Sequence, residues 1–470
     1  MKRLFLSLLL IISLSAISQS LNFSDIEYLN PNETASLRPR ICLINGEPLV
    51  MFTRNSLGEK IFVNRKKDGE WLGENLISAD GINFQAGTRL GPAIASYGEI
   101  VYVAYILDSS PKQIAFQRSV DGGLTFTESL TAYDLGSELA EGIDVLVLPD
   151  GNPVIAFIHY EAGWVNARQV VMRSYDGGET FTDLISIDNT PCECCTPSLI
   201  AGENTYGVSY RDNDANIRTF KVRVSTNETA DFTGALETDL TNWEVSVCPA
   251  SSSDGFIVGD TLYSTWMSKP GSLTEVYMSR ANLDEEVVID WSVVDSEIDY
   301  GSQNHPKMDG DSETQVVVWE EYREAKKDIY GVVIQNGVYG PSFSVTEGDS
   351  VENKENVDMM FDKESNIFHL VYRNKGENAV VYRTMSPSSL SVDEFDSNLV
   401  SLYPNPTVNE IRFDQEFDEE TNYVIYNTLG ETILKGKYRG VISVELLQQG
   451  NYFVEVVNDS KTYRASFVKQ

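Results

Sequence analysis

Histidine, cysteine and basic residues are scarce in this sequence. Three histidines and five cysteines occur among 470 residues, so the chain cannot build a site from several histidines. No Ser-His-Asp arrangement and no glycine-rich phosphate loop is present. The 36 basic residues stand against 70 acidic ones, which gives a formal net charge of −34. Because such an acidic surface repels phosphate backbones, nucleic acid is excluded as a partner.

Long apolar runs are also missing after the first twenty residues, so no transmembrane segment is predicted. The N-terminus itself has Lys2 and Arg3, then an apolar stretch over 4–17, then small residues before Gln19. This order is typical of a secretory signal peptide, which we place at residues 1–18. The sequence therefore predicts an exported protein.

A regular repeat occupies most of the remaining chain. An aromatic residue ends an apolar alternating run seven times, at intervals of 53, 52, 53, 56, 53 and 53 residues. These residues are Phe52, Tyr105, Phe157, Tyr210, Trp266, Trp319 and Tyr372. A period near fifty with strand-like units is typical of β-propeller blades. We therefore predict an all-β fold with a propeller over residues 19–386. Seven units favour seven blades, and six blades is the alternative.

Each unit is predicted to contain four short strands, because apolar alternation and turn residues recur along it. In the second and third units we place the outer strands at Phe126–Leu130 and Phe181–Ile185. The seventh unit lacks an outer strand of its own. We expect the segment Phe23–Leu29 to supply that strand, because closing the ring removes exposed sheet edges.

Two turns share the form S-x-D-G-G-x-T-F and lie 55 residues apart. In this form the carboxylate accepts hydrogen bonds from turn amides, and the glycines allow positive φ. The octamers resemble the Asp-box, or BNR repeat, of sialidases, and the propeller is therefore identified as sialidase-like. The resemblance implies a structural role for their residues, not a catalytic one. These residues are Ser119, Asp121, Gly123, Thr125 and Phe126, with Ser174, Asp176, Gly178, Thr180 and Phe181 in the second octamer.

The likeness to sialidases also suggests where a substrate carboxylate would bind. Members of that family use three arginines for it, and Arg40, Arg211 and Arg373 are the weak candidates here. The chain departs from the family pattern, because Cys42 stands in place of a proline and no Tyr–Glu nucleophile pair can be singled out. We therefore expect a protein that binds a glycan or another ligand and is not an enzyme. An exo-sialidase or another glycoside hydrolase is the alternative.

Four of the five cysteines lie next to the starts of predicted inner strands. Cys192, Cys194 and Cys195 open the fourth unit, Cys248 opens the fifth, and His305 opens the sixth. If the units superpose, Cys195, Cys248 and His305 converge at one mouth of the channel, where they would bind copper(I) or zinc. A disulfide from Cys248 to one of the cysteines in 192–195 is the competing interpretation, because an exported chain meets oxidising conditions. The sequence leaves both open.

The last seventy residues form a separate unit. Residues 387–398 are predicted to be a linker, and residues 399–470 a small β-sandwich. The segment resembles the type A C-terminal sorting domain of the type IX secretion system of Bacteroidetes. Its matching residues are Tyr403, Pro404, Asn405 and Pro406, followed by Gly450 and Tyr452. The resemblance implies contact with the secretion machinery and a protein that is secreted or attached to the outer-membrane surface.

Overall fold

The computed structural model describes residues 21–30, 36–54, 59–79, 82–108, 110–296, 301–323, 326–349, 353–387, 398–415, 417, 421–427, 432–458 and 461–470. The predicted signal peptide, at 1–18, lies outside these residues. The described chain consists of strands and turns without helices. None of it could therefore cross a membrane as a helix. It divides into two compact units, one ending at residue 387 and one beginning at residue 388.

The first unit contains seven antiparallel sheets, which we number along the chain. Sheets 1 to 4 have four strands each. Sheet 1 contains β3 (Ser36–Ile44), β4 (Glu47–Arg54), β5 (Lys60–Lys67) and β6 (Glu70–Leu76), and sheet 2 contains β7 (Ala93–Tyr97), β8 (Ile100–Leu107), β9 (Gln113–Ser119) and β10 (Leu130–Asp134). Sheet 3 contains β11 (Leu139–Val147), β12 (Pro153–Glu161), β13 (Val165–Arg173) and β14 (Ile185–Asp188). Sheet 4 contains β15 (Ser198–Ala201), β16 (Thr205–Arg211), β17 (Phe220–Thr226) and β18 (Leu236–Glu237).

Sheets 5 to 7 follow the same order, and sheet 7 takes two strands from the start of the chain. Sheet 5 contains β19 (Asp254–Val258), β20 (Thr261–Ser268), β21 (Glu275–Asn282) and β22 (Val287–Val293). Sheet 6 contains β23 (Gln303–Gly310), β24 (Thr314–Arg323), β25 (Lys326–Gln335), β26 (Val338–Tyr339) and β27 (Phe343–Ser344). Sheet 7 contains β28 (Lys354–Asp362), β29 (Ile367–Asn374), β30 (Ala379–Pro387), β1 (Leu21–Phe23) and β2 (Glu27–Tyr28).

The sheets form a ring around a central channel, as in a propeller. Their innermost strands contact one another in the order β3, β7, β11, β15, β19, β23 and β28, and β28 contacts β3 again. The core lies between neighbouring sheets, where the second strands are almost wholly buried. The seven recurrent aromatic residues all lie on these second strands and are at most 1% exposed. This confirms the repeat and the packing role of its aromatic residues.

The N-terminal strands close the ring, as the sequence predicts. Leu21 of β1 pairs with Pro387 of β30, and Glu27 of β2 pairs with Tyr382 of the same strand. Sheet 7 is thus built from both ends of the first unit. The outer edge of β30 is therefore paired rather than exposed.

The outer strands of sheets 2 and 3 begin later than predicted. They are Leu130–Asp134 and Ile185–Asp188 instead of Phe126–Leu130 and Phe181–Ile185. In each case the aromatic residue that ends the octamer turns into the core, and Phe181 packs on Phe116 with ring centroids 5.6 Å apart. Because this inward turn interrupts the strand pairing, the ladder resumes four residues later.

The second unit is a small sandwich of two sheets. Five strands form the larger sheet and three form the smaller one. The larger sheet contains, in spatial order, β31 (Asn398–Leu399), β38 (Lys461–Lys469), β37 (Gly450–Asn458), β34 (Asn422–Asn427) and β35 (Thr432–Lys437). The smaller sheet contains β32 (Leu402–Tyr403), β33 (Glu410–Phe413) and β36 (Ile442–Ser443). Its apolar core is separate from those of the ring.

Candidate functional site

Four inner strands contain a β-bulge close to their first residue. The register against the second strand shifts between Leu37 and Arg40, Glu141 and Ile143, Asn304 and Lys307, and Glu355 and Asp358. One residue in each bulge has positive φ: Arg38 (46°), Gly142 (63°), His305 (50°) and Asn356 (57°). For a residue other than glycine this conformation costs on the order of 1 kcal/mol or more. Three such residues therefore hold strain at one end of the ring.

These three strained residues line a single pocket in the channel. The pocket has about 660 Å³ of empty space, including its opening. Its charged lining residues are Arg38, Arg40, Arg89, Lys307, Asp144 and Glu320. Cations thus outnumber carboxylates here, although the protein as a whole is strongly acidic.

Arg38 and Arg40 contact no carboxylate within salt-bridge distance among the described residues. Arg38 is 5% exposed, and its Nη1 donates to the carbonyl oxygens of Gly91 and, at 3.1 Å, Pro92. The Nε of Arg38 has no hydrogen-bond partner in the described part of the chain. The Nη1 of Arg40 donates to the carbonyl of Pro39, at 2.9 Å. Burial, together with the charge of Arg40, lowers the pKa of Arg38 to about 9. An anion beside the pair would relieve this cost.

Lys307 lies in the same pocket but is neutralised. Its Nζ lies 3.3 Å from a carboxylate oxygen of Asp358 and 3.8 Å from one of Asp254. Burial disfavours its charge, but Asp254 and Asp358 outweigh that effect and raise the pKa of Lys307. Lys307 is therefore part of an internal ion-pair network.

Carboxylates on the inner strands connect neighbouring sheets. Each accepts a hydrogen bond from a backbone N–H of the next inner strand in the ring. The pairs are Asp144 with Leu199 (2.8 Å), Asp254 with Met308 (3.0 Å), Asp309 with Phe361 (2.7 Å) and Asp358 with Ile41 (3.0 Å). Desolvation in the channel raises the pKa of Asp254 to about 6 and that of Asp309 to about 7. These aspartates therefore join neighbouring inner strands of the ring through hydrogen bonds.

Glu320, the other carboxylate of the pocket, is also occupied. It accepts hydrogen bonds from the Nζ of Lys327 (2.9 Å) and from the N–H of Asn356 (2.7 Å). His305 lies close to Glu320, and burial lowers the pKa of His305 below its usual range. The imidazole is therefore neutral at pH 7, and it adds no charge to the pocket.

The segment 85–90 lies at the mouth of the pocket. The Nε2 of Gln85 donates to the carbonyl of Ala140 at 2.8 Å, and Arg89 lies 3.6 Å from Glu141. The carbonyl of Thr88 accepts a hydrogen bond from the Nδ2 of Asn356 at 2.7 Å. The segment thus connects sheet 2 with sheets 3 and 7 across the opening.

A pair of aromatic side chains lies on sheet 3, near the start of its inner strand. Tyr160 and Trp164 stack with ring centroids 3.9 Å apart and planes 15° from parallel. Tyr160 pairs with Leu139, two residues before the Glu141 that contacts Arg89. Trp164 is 38% exposed. The pair therefore presents a stacked aromatic surface between β12 and β13.

The cysteines converge as the sequence suggested, but His305 does not join them. The Sγ atoms of Cys192, Cys194, Cys195 and Cys248 all lie within 4.8 Å of one another. Cys194 and Cys248 lie at disulfide distance, with Cα atoms 6.3 Å apart. The cysteines lie in loops before β15 and β19, whereas His305 lies within β23 at its bulge. His305 and Cys194 therefore line the pocket, while the predicted trio of Cys195, Cys248 and His305 does not form.

The three arginines chosen by analogy with sialidases lie in different environments. Arg40 lies on inner strand β3 and lines the pocket. Arg211 and Arg373 lie on second strands, one layer behind the channel. Arg211 is buried against Phe220 and donates to backbone carbonyls, and Arg373 forms an ion pair with Glu355 at 2.6 Å. The structure therefore does not support a triad of these three residues.

The two octamers fold into the same hydrogen-bonded turn. In the first, Asp121 accepts hydrogen bonds from the amides of Leu124 (3.1 Å) and Thr125 (2.9 Å) and from the hydroxyls of Ser119 (2.7 Å) and Thr125 (2.6 Å). Asp176 has the matching set from Ser174 and Thr180. The Thr180 hydrogen bonds lower the pKa of Asp176 to about 2. Gly123 and Gly178 have positive φ. A Cβ on Gly123 would lie 2.6 Å from Leu49 of sheet 1.

The residues of the predicted sorting signal lie near the end of the chain in the second unit. Asn405 donates to the carbonyl of Ser466 (3.0 Å) and accepts from the N–H of Val468 (2.9 Å) on β38. Tyr403 ends β32, and Gly450 begins β37. Tyr452 is buried and stacks on Phe467, with centroids 5.6 Å apart. Pro404 and Pro406 flank Asn405.

Sequence reasoning missed Arg38, Arg89 and Lys307. Arg38 precedes Arg40 by two residues, but the bulge between Leu37 and Arg40 interrupts the alternation of side chains, so strand periodicity alone does not place Arg38 in the pocket. Lys307 stands in the same relation to His305. Arg89 lies in an irregular segment, where no periodic pattern places a side chain.

Comparison with known proteins identifies the C-terminal unit. Residues 401–470 match the family model described as Secretion system C-terminal sorting domain. The protein is therefore a client of the type IX secretion machinery and is secreted or displayed on the cell surface. No curated protein matches the sequence.

Several solved structures are similar in fold. A protein of unknown function from Dyadobacter fermentans is 11% identical, with 78% of this chain and 99% of that chain covered and a TM-score of 0.45. The polysaccharide lyase Uly1 is 10% identical, with 77% and 92% covered and a TM-score of 0.49. A mutant sialidase from Trypanosoma rangeli is 10% identical, with 95% and 88% covered and a TM-score of 0.46.

Proposed function

We propose that this exported protein binds an anionic saccharide, and that Arg38 and Arg40 hold its carboxylate in the channel pocket. One observation carries the proposal. Two adjacent arginines line a pocket without an ion pair among the described residues, although acidic residues outnumber basic ones nearly two to one. Two unneutralised guanidinium groups favour an anion, and a carboxylate matches their planar donors.

The aromatic pair supports a sugar as the body of this ligand. Tyr160 and Trp164 offer a flat apolar surface on sheet 3, whose Glu141 contacts Arg89 of the pocket, and the pyranose ring has a flat face of C–H groups that packs on such a surface. The acid group would enter the pocket while a neighbouring sugar unit stacks on Trp164. This arrangement resembles ligand sites in general, where a few polar groups set the orientation and apolar surface adds area.

The state of the pocket carboxylates favours binding over hydrolysis. A glycosidase needs a carboxyl group that is free to donate or accept a proton. Asp144 accepts backbone hydrogen bonds from Val145 and Leu199, and Glu320 is bonded to Lys327 and Asn356. The described lining residues also include no tyrosine to act as a nucleophile. Glycoside hydrolysis therefore remains the weaker alternative.

The test is calorimetric titration of the full-length protein with matched acidic and neutral oligosaccharides. Oligogalacturonate and sialyllactose provide carboxylates, and mannan oligosaccharides provide none. We expect saturable binding of a carboxylated ligand that weakens as salt rises. Arg40→Ala should reduce its affinity about 10-fold to 150-fold, the effect of losing a charged hydrogen bond of about 1.5–3 kcal/mol.

Arg280→Ala is the matched control. Arg280 is half-buried and pairs with Asp290 on the outermost strand of sheet 5, so its removal changes the net charge equally but leaves the pocket intact. Equal affinity for neutral and acidic ligands, or equal losses in the two variants, would refute the proposal. Turnover of a fluorogenic sialoside that Arg40→Ala abolishes would establish the hydrolase instead.

A further inference from the structure

We infer that Cys192, Cys194, Cys195 and Cys248 form an all-sulfur site for one thiophilic metal ion, zinc or copper(I). The site shares Cys194 with the lining of the proposed saccharide pocket, but none of its ligands is a residue that we propose to hold the saccharide. It is also not the mixed site that the sequence suggested, because His305 lies outside it. Four cysteine sulfur atoms lie together there, the guanidinium group of Arg218 lies beside them, and Cys248 is exposed to solvent.

The two loops bring the four sulfur atoms into one group. Three cysteines lie between β14 and β15, where the N–H of Cys195 donates to the carbonyl of Cys192 at 3.2 Å and folds the segment into a turn. Cys248 lies before β19 in the next sheet. Tetrahedral zinc with bonds of about 2.3 Å places neighbouring sulfur atoms roughly 3.8 Å apart. The Sγ atoms of Cys192 and Cys194 are 3.9 Å apart.

Arg218 provides a positive neighbour for the thiolates. Its Nη1 donates to the Sγ of Cys192 at 3.1 Å, and its Nε donates to the carbonyl of Val245 at 3.1 Å. Arg218 thus links the cysteine turn to the segment that leads to Cys248. Hydrogen bonds of this kind orient metal ligands and offset their charge.

The four sulfur donors limit which metal ions the site can bind, and the exposure of Cys248 gives an ion access to it. Four sulfur donors suit zinc or copper(I) and do not suit calcium or magnesium, which bind oxygen. Cys192 and Cys195 are buried, whereas Cys248 is exposed, so an ion has a path from solvent. Binding converts four thiols to thiolates and releases four protons, with no change in oxidation state for zinc.

The rival is the disulfide that Cys194 and Cys248 are placed to form. Oxidation of this pair removes two ligands and leaves two buried thiols, Cys192 and Cys195. The two states are mutually exclusive. Two equivalents of an external thiol reduce the Cys194–Cys248 disulfide to two thiols and are themselves oxidised to a disulfide, and an external disulfide reverses the exchange. A metal ion present during folding would protect all four thiolates from oxidation. Metal uptake by the reduced protein is therefore the decisive measurement.

The experiment titrates cobalt(II) into full-length protein reduced and desalted under anaerobic conditions. We expect one cobalt(II) per chain, with thiolate-to-metal charge-transfer bands and the intense visible bands of tetrahedral sulfur coordination. Zinc and copper(I) should each displace the cobalt. Metal analysis of protein purified without chelators then distinguishes the two natural candidates.

Cys195→Ser separates the metal site from the disulfide, because Cys195 is not part of the Cys194–Cys248 pair. It should weaken cobalt binding about 100-fold or more, and Arg218→Met about 10-fold to 100-fold. Cys42→Ser, which removes a thiol from a different core, should have no effect. If Cys195→Ser does not fold, Arg218→Met still tests the site. No cobalt uptake by the reduced native protein, or uptake that both variants retain, would overturn the inference.

Discussion

Arg38-Pro39-Arg40 on sheet 1 and His305-Pro306-Lys307 on sheet 6 occupy equivalent places in the ring. Both are bulges on an inner strand, and the first residue of each has positive φ, 46° and 50°. Both end in a cation that lines the pocket. They differ in their partners. Lys307 lies between two carboxylates, whereas Arg40, among the residues that the structure describes, donates to a backbone carbonyl and has no ion pair.

The same β-bulge therefore places a cation in the channel on both sheets, but the two cations have different roles. On sheet 6 the cation completes a network with Asp254 and Asp358, and the network joins sheets 5, 6 and 7. On sheet 1 the cation at the same position, Arg40, has no ion pair within the described ranges, and it is the group that we propose to bind an anion. The residue two positions after each cation differs too: it is Asp309 on sheet 6 and Cys42 on sheet 1. Sheet 6 therefore holds the ring together at its channel end, and sheet 1 offers a binding group there.

The largest effect is expected from Lys307→Met. The substitution keeps the volume of the side chain but leaves Asp254 and Asp358 without their cation in a partly desolvated channel. We expect the free energy of unfolding to fall by about 2–3 kcal/mol, less than the roughly 3–5 kcal/mol for breaking a fully buried pair, because the Lys307 side chain is 21% exposed. Urea denaturation measures it. Lys363→Met, at an exposed position, is the control. Unchanged stability would mean that sheet 6 does not depend on this network.

Asp309→Asn should alter the pH dependence of stability. Desolvation raises the folded-state pKa of Asp309 to about 7, above its unfolded value. The stability linked to its proton is complete below pH 4 and is lost as the pH rises through 7. The melting temperature of the native protein should therefore fall between pH 5 and pH 8.

In the Asn variant this fall should be smaller, because its amide oxygen still accepts from Phe361 but cannot ionise. Differential scanning calorimetry at both pH values checks the difference. Cys42→Ser at the equivalent place on sheet 1 should leave the pH profile unchanged. A variant profile that coincides with that of the native protein would assign the pH dependence to other groups.

Asp121→Ala tests how sheet 1 is supported away from the channel. The first octamer turn packs on this sheet, with Gly123 against Leu49. Removing the carboxylate breaks four hydrogen bonds from Ser119, Leu124 and Thr125. We expect a loss of about 2 kcal/mol in urea denaturation with no loss of ligand affinity. Asp121→Asn should recover part of the stability. A parallel loss of affinity would mean that the turn also shapes the pocket.

The ring was predictable because it repeats. Seven aromatic residues, Trp266 and Trp319 among them, mark the seven second strands, and their regular spacing in the sequence is enough to locate these strands. The N-terminal strands were predictable because the seventh unit lacks an outer strand. The channel was harder, because the sequence has no local signal for contacts between sheets.

Lys307 illustrates the difficulty. Its partners, Asp254 and Asp358, lie about fifty residues away on either side, on two other sheets. Arg211 illustrates the opposite error, because it matches a motif but lies on a second strand, behind the channel. A motif gives the residue type, whereas the layer in the blade decides whether the side chain meets the ligand.

The smallest effect, and the sharpest contrast with Lys307→Met, is expected from Arg40→Met. No carboxylate depends on Arg40 within salt-bridge distance among the described residues, and its charge lowers the pKa of Arg38. Removing that charge should therefore change the free energy of unfolding by less than about 1 kcal/mol, and in the stabilising direction. Urea denaturation of the ligand-free protein at low salt measures it, since salt screens the repulsion. Destabilisation as large as that of Lys307→Met would show that Arg40 also has a structural partner, and the two bulges would then be alike in role as well as in backbone.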